Sequence, residues 1–484
     1  MNFQVVAYFL SKLISACCIV MILPLGLAIA EGDIVSRMAF VSALGGGVSL
    51  SAVLFCSGHD SGDSMNVREG IAITGLGWLM CVIICMIPFW AGGYLSLLNS
   101  FFEAMSGLGC MGATVITNID AMPHSVLLWR SLIHWIGGLG IVVVFIALLP
   151  QFGHGMVHML NAESSGAADR VVPRIKDMAA ALFKVYLLFT ITAATVYIAC
   201  GMSLFDAVLH AFATIATGGF STHDASIGYF HSPLIEGWMV FFMFLSSLNF
   251  SMYISIANHG IKTVLRNTEF KVYITVLVCF TLIITSNLVF QMGLDYSSAF
   301  REAIFHTVSL SSSTGFVAAD FDRWPSFSHF CLLLLMLMGG CAGSTSGGLK
   351  VSRIIILFKG VYAILWQRLH PQMMNKITIN GNVISFDKFY TVGRYFFVYI
   401  MLCVLWSVLL IADGMMPWDA IGASISAMSG IGPAFGQVGA TCTFATLPDF
   451  SKLVICFGVL LGRLEIFSIL AMLNPEFWHK TRGW

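Results

Sequence analysis

Apolar residues run along this chain in blocks long enough to cross a bilayer, roughly 5–30, 38–56, 71–90 and 126–149, and the pattern continues to the end. A spanning helix needs about 20 such residues, and hydropathy predicts about ten spans. Between some of them lie segments too short to cross. One is EAIFHTVSLSSSTGF at 302–316, moderately apolar and ending in small hydroxyl residues and a glycine. It recurs. Asn99 leads Gly112, Asp206 leads Gly219, Glu302 leads Gly315 and Asp419 leads Gly432, each by 13 residues. Four copies of one short helix and turn, each between apolar spans, predict four walls around one pathway.

The expected fold is therefore an all-α polytopic membrane protein, with an N-terminal helical hairpin (1–69) and four tandem span–pore-helix–span repeats. The repeats are placed at 70–155, 156–262, 263–372 and 373–484. Composition agrees: 10% of residues are charged and 58% hydrophobic, too little charge to cover a water-soluble surface of 484 residues. Zero net charge says nothing about nucleic acid; no nucleic-acid partner is expected, and the surrounding partner is the lipid bilayer. The 13 cysteines lie mostly in apolar runs (Cys17, Cys18, Cys81, Cys85, Cys200, Cys279, Cys403), where they act as small hydrophobes, with no disulfide framework or metal-ligand spacing. The first run lacks a basic leader and an A-x-A site and reads as a retained span.

Basic residues orient the chain. Arg68, Arg170, Arg174, Lys176, Lys184, Lys262, Arg266, Lys271, Lys350, Arg353, Lys359, Arg368, Lys376, Lys388, Arg394, Lys480 and Arg482 fall between repeats or at the tail. The loops holding the short helices carry only Arg130, Arg301, Arg323 and Lys452, with Arg37 in the first hairpin. Positive charge stays inside, so the N-terminus is expected in the cytoplasm and the four insertions enter from outside.

Irregular backbone at membrane depth must line water or be packed in protein. The turns CMGAT (110–114), TGGFS (217–221), STGFV (313–317) and GIGPA (430–434) meet that condition if their carbonyls face a common axis. Rings of carbonyls replace the hydration shell of a monovalent cation, and the short helices aim their partially negative ends at the turns. Asn99, Asp206, Glu302 and Asp419 are expected to cap those helices. His210 and His306, with Glu103 at the matching position, and His134 read as helix-packing groups. A second feature is GGCAGSTSGG at 339–348: five glycines in ten residues break a helix, either as a packed kink or as a flexible loop beneath the turns. Third, Arg463 and Glu465 sit inside the last apolar run, where a charge costs at least about 2.5 kcal/mol and faces the interior or water. No nucleophile triad, phosphate loop or H-E-x-x-H occurs, so no enzyme is expected.

These turns, the glycine run and the intramembrane arginine together resemble the Trk/Ktr/HKT superfamily of potassium-translocating subunits, most of all its bacterial TrkH branch, over nearly the whole length. The resemblance implies potassium uptake across the bacterial inner membrane. It implies a K⁺ filter of backbone carbonyls at Met111, Gly112, Gly218, Gly219, Thr314, Gly315, Ile431 and Gly432. It implies a gate built from the loop containing Gly340, Gly343, Gly347 and Lys350, with Arg463 facing the conduction path. It also implies a homodimer, no cofactor bound by this chain, and a cytosolic nucleotide-binding partner of the TrkA type. The sequence departs from the family in its first turn, where Cys110-Met111 replaces hydroxyl residues. An ion-coupled (Na⁺ or H⁺) secondary transporter remains the alternative, although such transporters pair inverted repeats and all four units here run parallel.

Overall fold

The structure, a computed structural model, describes residues 1–58, 67–148, 172–370, 377–380, 382–464 and 466–478. The expected repeat boundaries at 155/156 and 372/373 lie outside the described residues, as do Arg170, Lys376, Glu465, Lys480, Arg482 and the side chains of Arg174 and Lys176.

The all-α expectation holds. Helices Phe3–Ala30 and Ile34–Gly58 form the N-terminal hairpin. Their 28 and 25 residues rise about 42 and 38 Å, enough to cross about 30 Å of hydrocarbon. Small residues let them close up: a β-carbon on Gly58 would crowd the backbone of Tyr8, and Ser15 and Ser51 share a 2.7 Å hydroxyl contact.

Each repeat then begins with an apolar span: Val67–Ala91, Val172–Ala199, Thr268–Met292 and Phe386–Ala412. A short helix follows, Leu97–Leu108, Leu204–Ile215, Tyr296–Ser311 and Pro417–Ser429. At 12 to 16 residues these rise only about 18–24 Å and cannot cross. They are the most buried helices of their repeats, rich in small residues such as Ser106, Ser309, Ser311, Ser426 and Ser429. The outer faces expose Leu23, Phe290, Phe358 and Phe397, as a lipid-facing surface should.

The second span differs from the sequence expectation. It is interrupted in all four repeats, and not only at the glycine run. The helix His124–Leu148 kinks at Gly140, whose φ is +51°. Pro233–Ser246 meets Phe250–His259 at 85°. Ser326–Met338 and Val351–Leu369 flank the glycine-rich loop. Asp449–Arg463 gives way to Ile466–Leu473 at 116°. Arg463 therefore ends a helix and does not sit within a continuous one. Among the described residues six helices are long and apolar enough to cross a membrane, and eight spans result if each bent pair counts as one, against the ten that hydropathy predicts. A two-stranded hairpin, Ile377–Ile379 against Asn382–Ile384, precedes the first span of the fourth repeat.

Candidate functional site

The four turns converge. A β-carbon on Gly112 would lie 3.1 Å from the Gly218 carbonyl oxygen, 3.2 Å from that of Ile431 and 3.3 Å from Gly219 Cα. One on Gly219 would overlap the Thr314 carbonyl, one on Gly315 the Ile431 carbonyl, and one on Gly432 would come 2.6 Å from Gly112 Cα. All eight residues expected to line the pathway thus meet in one cluster, packed so closely that only glycine fits at its corners.

The turns also share one left-handed residue. Cys110, Thr217, Ser313 and Gly430 stand two residues before the four glycines and have φ of +53°, +52°, +53° and +66°. For the three non-glycine residues this left-handed geometry costs about 1–2 kcal/mol each. Its recurrence marks a constraint imposed by the site. Each turn is held by its own short helix. The N–H groups of Met111, Gly218, Thr314 and Ile431 donate to the carbonyls of Ser106, Ala213, Ser309 and Ser426, at 2.8 to 3.0 Å. The serine hydroxyls at three of these positions reach back as well: Ser106 to the Met111 carbonyl, Ser309 to Phe316 at 2.7 Å and Ser426 to Gly432 at 2.8 Å. The first turn stands apart. Gly112 lacks the positive φ of Gly219, Gly315 and Gly432 (+85°, +78°, +112°), and its N–H donates to the Ile431 carbonyl at 3.1 Å.

The expected caps are corrected. The caps are Ser96, Ser203 and Asp295, while the fourth helix has no side-chain cap. Asp206 and Asp419 instead clamp the chain beyond the turn: Asp206 accepts from the Thr222 hydroxyl at 2.7 Å, and Asp419 from the Gln437 N–H at 3.0 Å. Asn99 accepts from the Lys452 ammonium at 2.9 Å, while Glu302 is half-buried and caps nothing.

The position four residues later is a buttress in three repeats. His210 bonds the Asp206 carbonyl through Nδ1 (2.8 Å) and the Ser221 hydroxyl through Nε2 (3.0 Å). His306 accepts from the Ala318 N–H at 3.4 Å. In the first repeat Glu103 accepts from the Val115 N–H at 2.9 Å and pairs with Arg130 at 2.8 Å. That pair is buried, 0% and 1% exposed, and Arg130 reaches the second turn through the Ser221 carbonyl (3.2 Å) and the Phe220 ring. The loop placement of Arg130 and Lys452 is thus also corrected: both are buried helix residues. Their signal was a charge within a turn or two of an apolar run. His134 packs edge-on against Phe220 behind Gly218, and its ring nitrogens have no partner among the described residues.

Directly under the turns lies the glycine-rich loop. Gly339, Gly343, Gly348 and Lys350 have φ of +66° to +83°. The Gly347 N–H donates to Ser313 Oγ of the third turn at 2.7 Å, and a β-carbon there would overlap the Ser429 carbonyl. Gly340 packs against Ser346, and Gly343 against Asn249. Lys350 Nζ donates to the Ser346 carbonyl at 2.6 Å. Arg463 donates to the Thr345 carbonyl at 3.0 Å, to the Gly137 carbonyl beside the first-repeat kink, and to Cys110 Sγ at 3.6 Å. A cavity of about 10 Å³ between turns and loop is lined by Cys110, Ser313, Gly347, Ser429, Gly430 and Arg463. Among the described residues no cluster of three or more His, Cys, Asp or Glu could hold a metal ion.

Comparisons with known proteins agree with this architecture. The chain is 33% identical over 488 residues to the Trk system potassium uptake protein TrkH of Escherichia coli K12, covering 99% of this chain and 100% of that one. It is 32% identical to E. coli TrkG, covering 88% and 90% of the two chains. The crystal structure of the potassium transporter TrkH from Vibrio parahaemolyticus matches with a TM-score of 0.89 at 32% identity, covering 99% of this chain and 100% of that one. The family described as "TrkH: Cation transport protein" matches residues 36–480. With its fold and its length both accounted for, the chain belongs to this multi-pass family of transport proteins, which is not a family of enzymes.

Proposed function

We propose that this chain is the potassium-translocating subunit of a bacterial Trk-type uptake system, seated in the inner membrane with its N-terminus in the cytoplasm. One observation carries the reading. Four turns that share a left-handed residue two positions before their glycine meet at a common centre, and a glycine-rich loop pinned by Arg463 closes the space beneath them. The carbonyls at Met111–Gly112, Gly218–Gly219, Thr314–Gly315 and Ile431–Gly432 replace the hydration shell of K⁺. The C-terminal ends of the four short helices add favourable partial charge. The cavity below, about 10 Å³, holds about one water. A cation leaving the turns therefore meets a plug, and Gly340, Gly343 and Gly347 supply the freedom by which the plug moves. Arg463 and Lys350 hold loop carbonyls and set positive charge beside the path.

The named relatives are Trk system potassium uptake proteins, which supports K⁺ as the cargo. A homodimer and a cytosolic nucleotide-binding partner of the TrkA type complete the proposed assembly. The test is ⁸⁶Rb⁺ uptake by proteoliposomes with no imposed proton or sodium gradient. Uptake by the wild-type chain supports a channel-like pathway, whereas strict dependence on a Na⁺ or H⁺ gradient would favour a coupled transporter. Deleting three residues within 340–347 should raise uptake about tenfold, the effect of about 1.4 kcal/mol off a barrier. A folded deletion variant with unchanged uptake removes the loop from the gate.

A further inference from the structure

We propose that Glu269 is a positioning residue for the transport step: a buried latch that holds both ends of the glycine-rich loop in the closed arrangement. The inference rests on the loop being the gate.

Glu269 is the second residue of the helix Thr268–Met292, and Asn267 fixes its backbone by accepting from the Glu269 N–H at 2.8 Å and the Phe270 N–H at 3.3 Å. The residue is 8% exposed. A single carboxylate oxygen accepts two backbone N–H groups, from Ala342 at 2.8 Å and from Ser352 at 3.1 Å. These donors are ten residues apart and bracket Gly343, Gly347 and Gly348, so the carboxylate ties together the two feet of the loop. Ser352 belongs to the first turn of Val351–Leu369, where N–H groups lack helical partners and negative charge is favoured.

The loop is thus held from opposite sides by opposite charges. At its tip the Arg463 guanidinium donates to the Thr345 carbonyl; at its base the Glu269 carboxylate accepts from Ala342 and Ser352. Among the described residues the loop is also tied by neutral backbone and hydroxyl bonds and by the Lys350 ammonium. A buried carboxylate is costly unless its bonds are made, and these two are the ones any withdrawal of the loop must stretch. Glu269 belongs to the first span of the same repeat, so a shift of that span relative to Val351–Leu369 breaks the latch without touching the turns.

The loop carries its own reporter. Cys341, next to Ala342, is buried, and withdrawal of the loop exposes it. The experiment measures two quantities on the full chain in proteoliposomes, for wild type, Glu269→Gln and Glu269→Ala. The first is the N-ethylmaleimide modification rate of Cys341, followed by peptide mass spectrometry; the second is ⁸⁶Rb⁺ uptake. Losing hydrogen bonds to a charged acceptor shifts an opening equilibrium by about tenfold. Glu269→Ala should raise both rates by about that factor. Glu269→Gln, which keeps an acceptor oxygen and the side-chain shape, should raise both less. Cys341 modification unchanged in folded protein of both variants overturns the latch. Faster modification with unchanged uptake upholds the latch and overturns the gate.

Discussion

The turns and the loop are both glycine-rich backbone at membrane depth, yet they are held in opposite ways. Each turn hangs from its own short helix: Met111 from Ser106, Gly218 from Ala213, Thr314 from Ser309, Ile431 from Ser426, all five residues apart. The loop has local bonds, such as Lys350 to the Ser346 carbonyl and the Val351 N–H to the Gly340 carbonyl, but it is also tied to groups far away in the chain. Cys341 N–H donates to the Ser247 carbonyl, the Thr345 hydroxyl reaches the carbonyls of Ile215 and Ser246, and Arg463 arrives from the fourth repeat. A segment tied to its own helix keeps its shape while the helices stay folded. One tied to several other elements changes when those elements shift. The first design fits the proposed filter and the second the proposed gate.

Removing Arg130 should give the largest effect, and it strikes the frame of the turns. Arg130→Met leaves Glu103 buried and unpaired at a cost of about 3–5 kcal/mol. It should sharply lower the thermal unfolding midpoint in detergent, and adding Glu103→Gln should restore much of the loss. A midpoint that the second substitution fails to raise would mean the pair is not the frame.

Arg463→Ala strikes the loop. At an effective dielectric of about 20, a permeating cation about 6 Å away is repelled by about 2.8 kcal/mol, roughly a hundredfold in rate. Its bonds to Thr345 and Gly137 are lost as well. Uptake of ⁸⁶Rb⁺ by the purified variant should rise towards that factor with ion preference unchanged. A fall in uptake would instead assign Arg463 to packing.

Gly315→Ser returns to the turns. Its φ of +78° and its overlap with the Ile431 carbonyl force the ring to widen. Preference for Rb⁺ over Na⁺ in competition should fall about tenfold, equivalent to about 1.4 kcal/mol. Equal preference in wild type and variant would exclude Gly315 from selection.

The smallest effect tests how far the loop's dependence on distant groups extends. Asn380, in the turn of the hairpin before the first span of the fourth repeat, accepts from the Thr268 N–H at 2.7 Å, at the start of the helix that carries Glu269. Asn380→Ala removes one exposed bond, worth about 0.5–1 kcal/mol, and should raise uptake about twofold to fivefold. No change would confine the gate's supports to the membrane.

Much of this molecule was legible in its residues. The period of apolar runs and the constant 13-residue offset from Asn99, Asp206, Glu302 and Asp419 to a glycine established four repeats, and the match in fold bears out the all-α architecture. Such features are visible because hydrophobic spacing and turn chemistry act between near neighbours in the chain. Partnerships were not. Lys452 and Asn99 are 353 residues apart, Arg463 and Gly137 326, Ser352 and Glu269 83. Spacing therefore assigned Lys452 and Arg130 to loops and Asn99 to a cap. It also missed three of the four interruptions in the second spans: the glycines at 137, 138 and 140 were read as part of a continuous span, and Asn249 sits in no glycine run. A buried charge or a broken helix is tolerated only where another element satisfies the exposed groups. Which element does so is decided by packing in three dimensions, where residues hundreds of positions apart become neighbours.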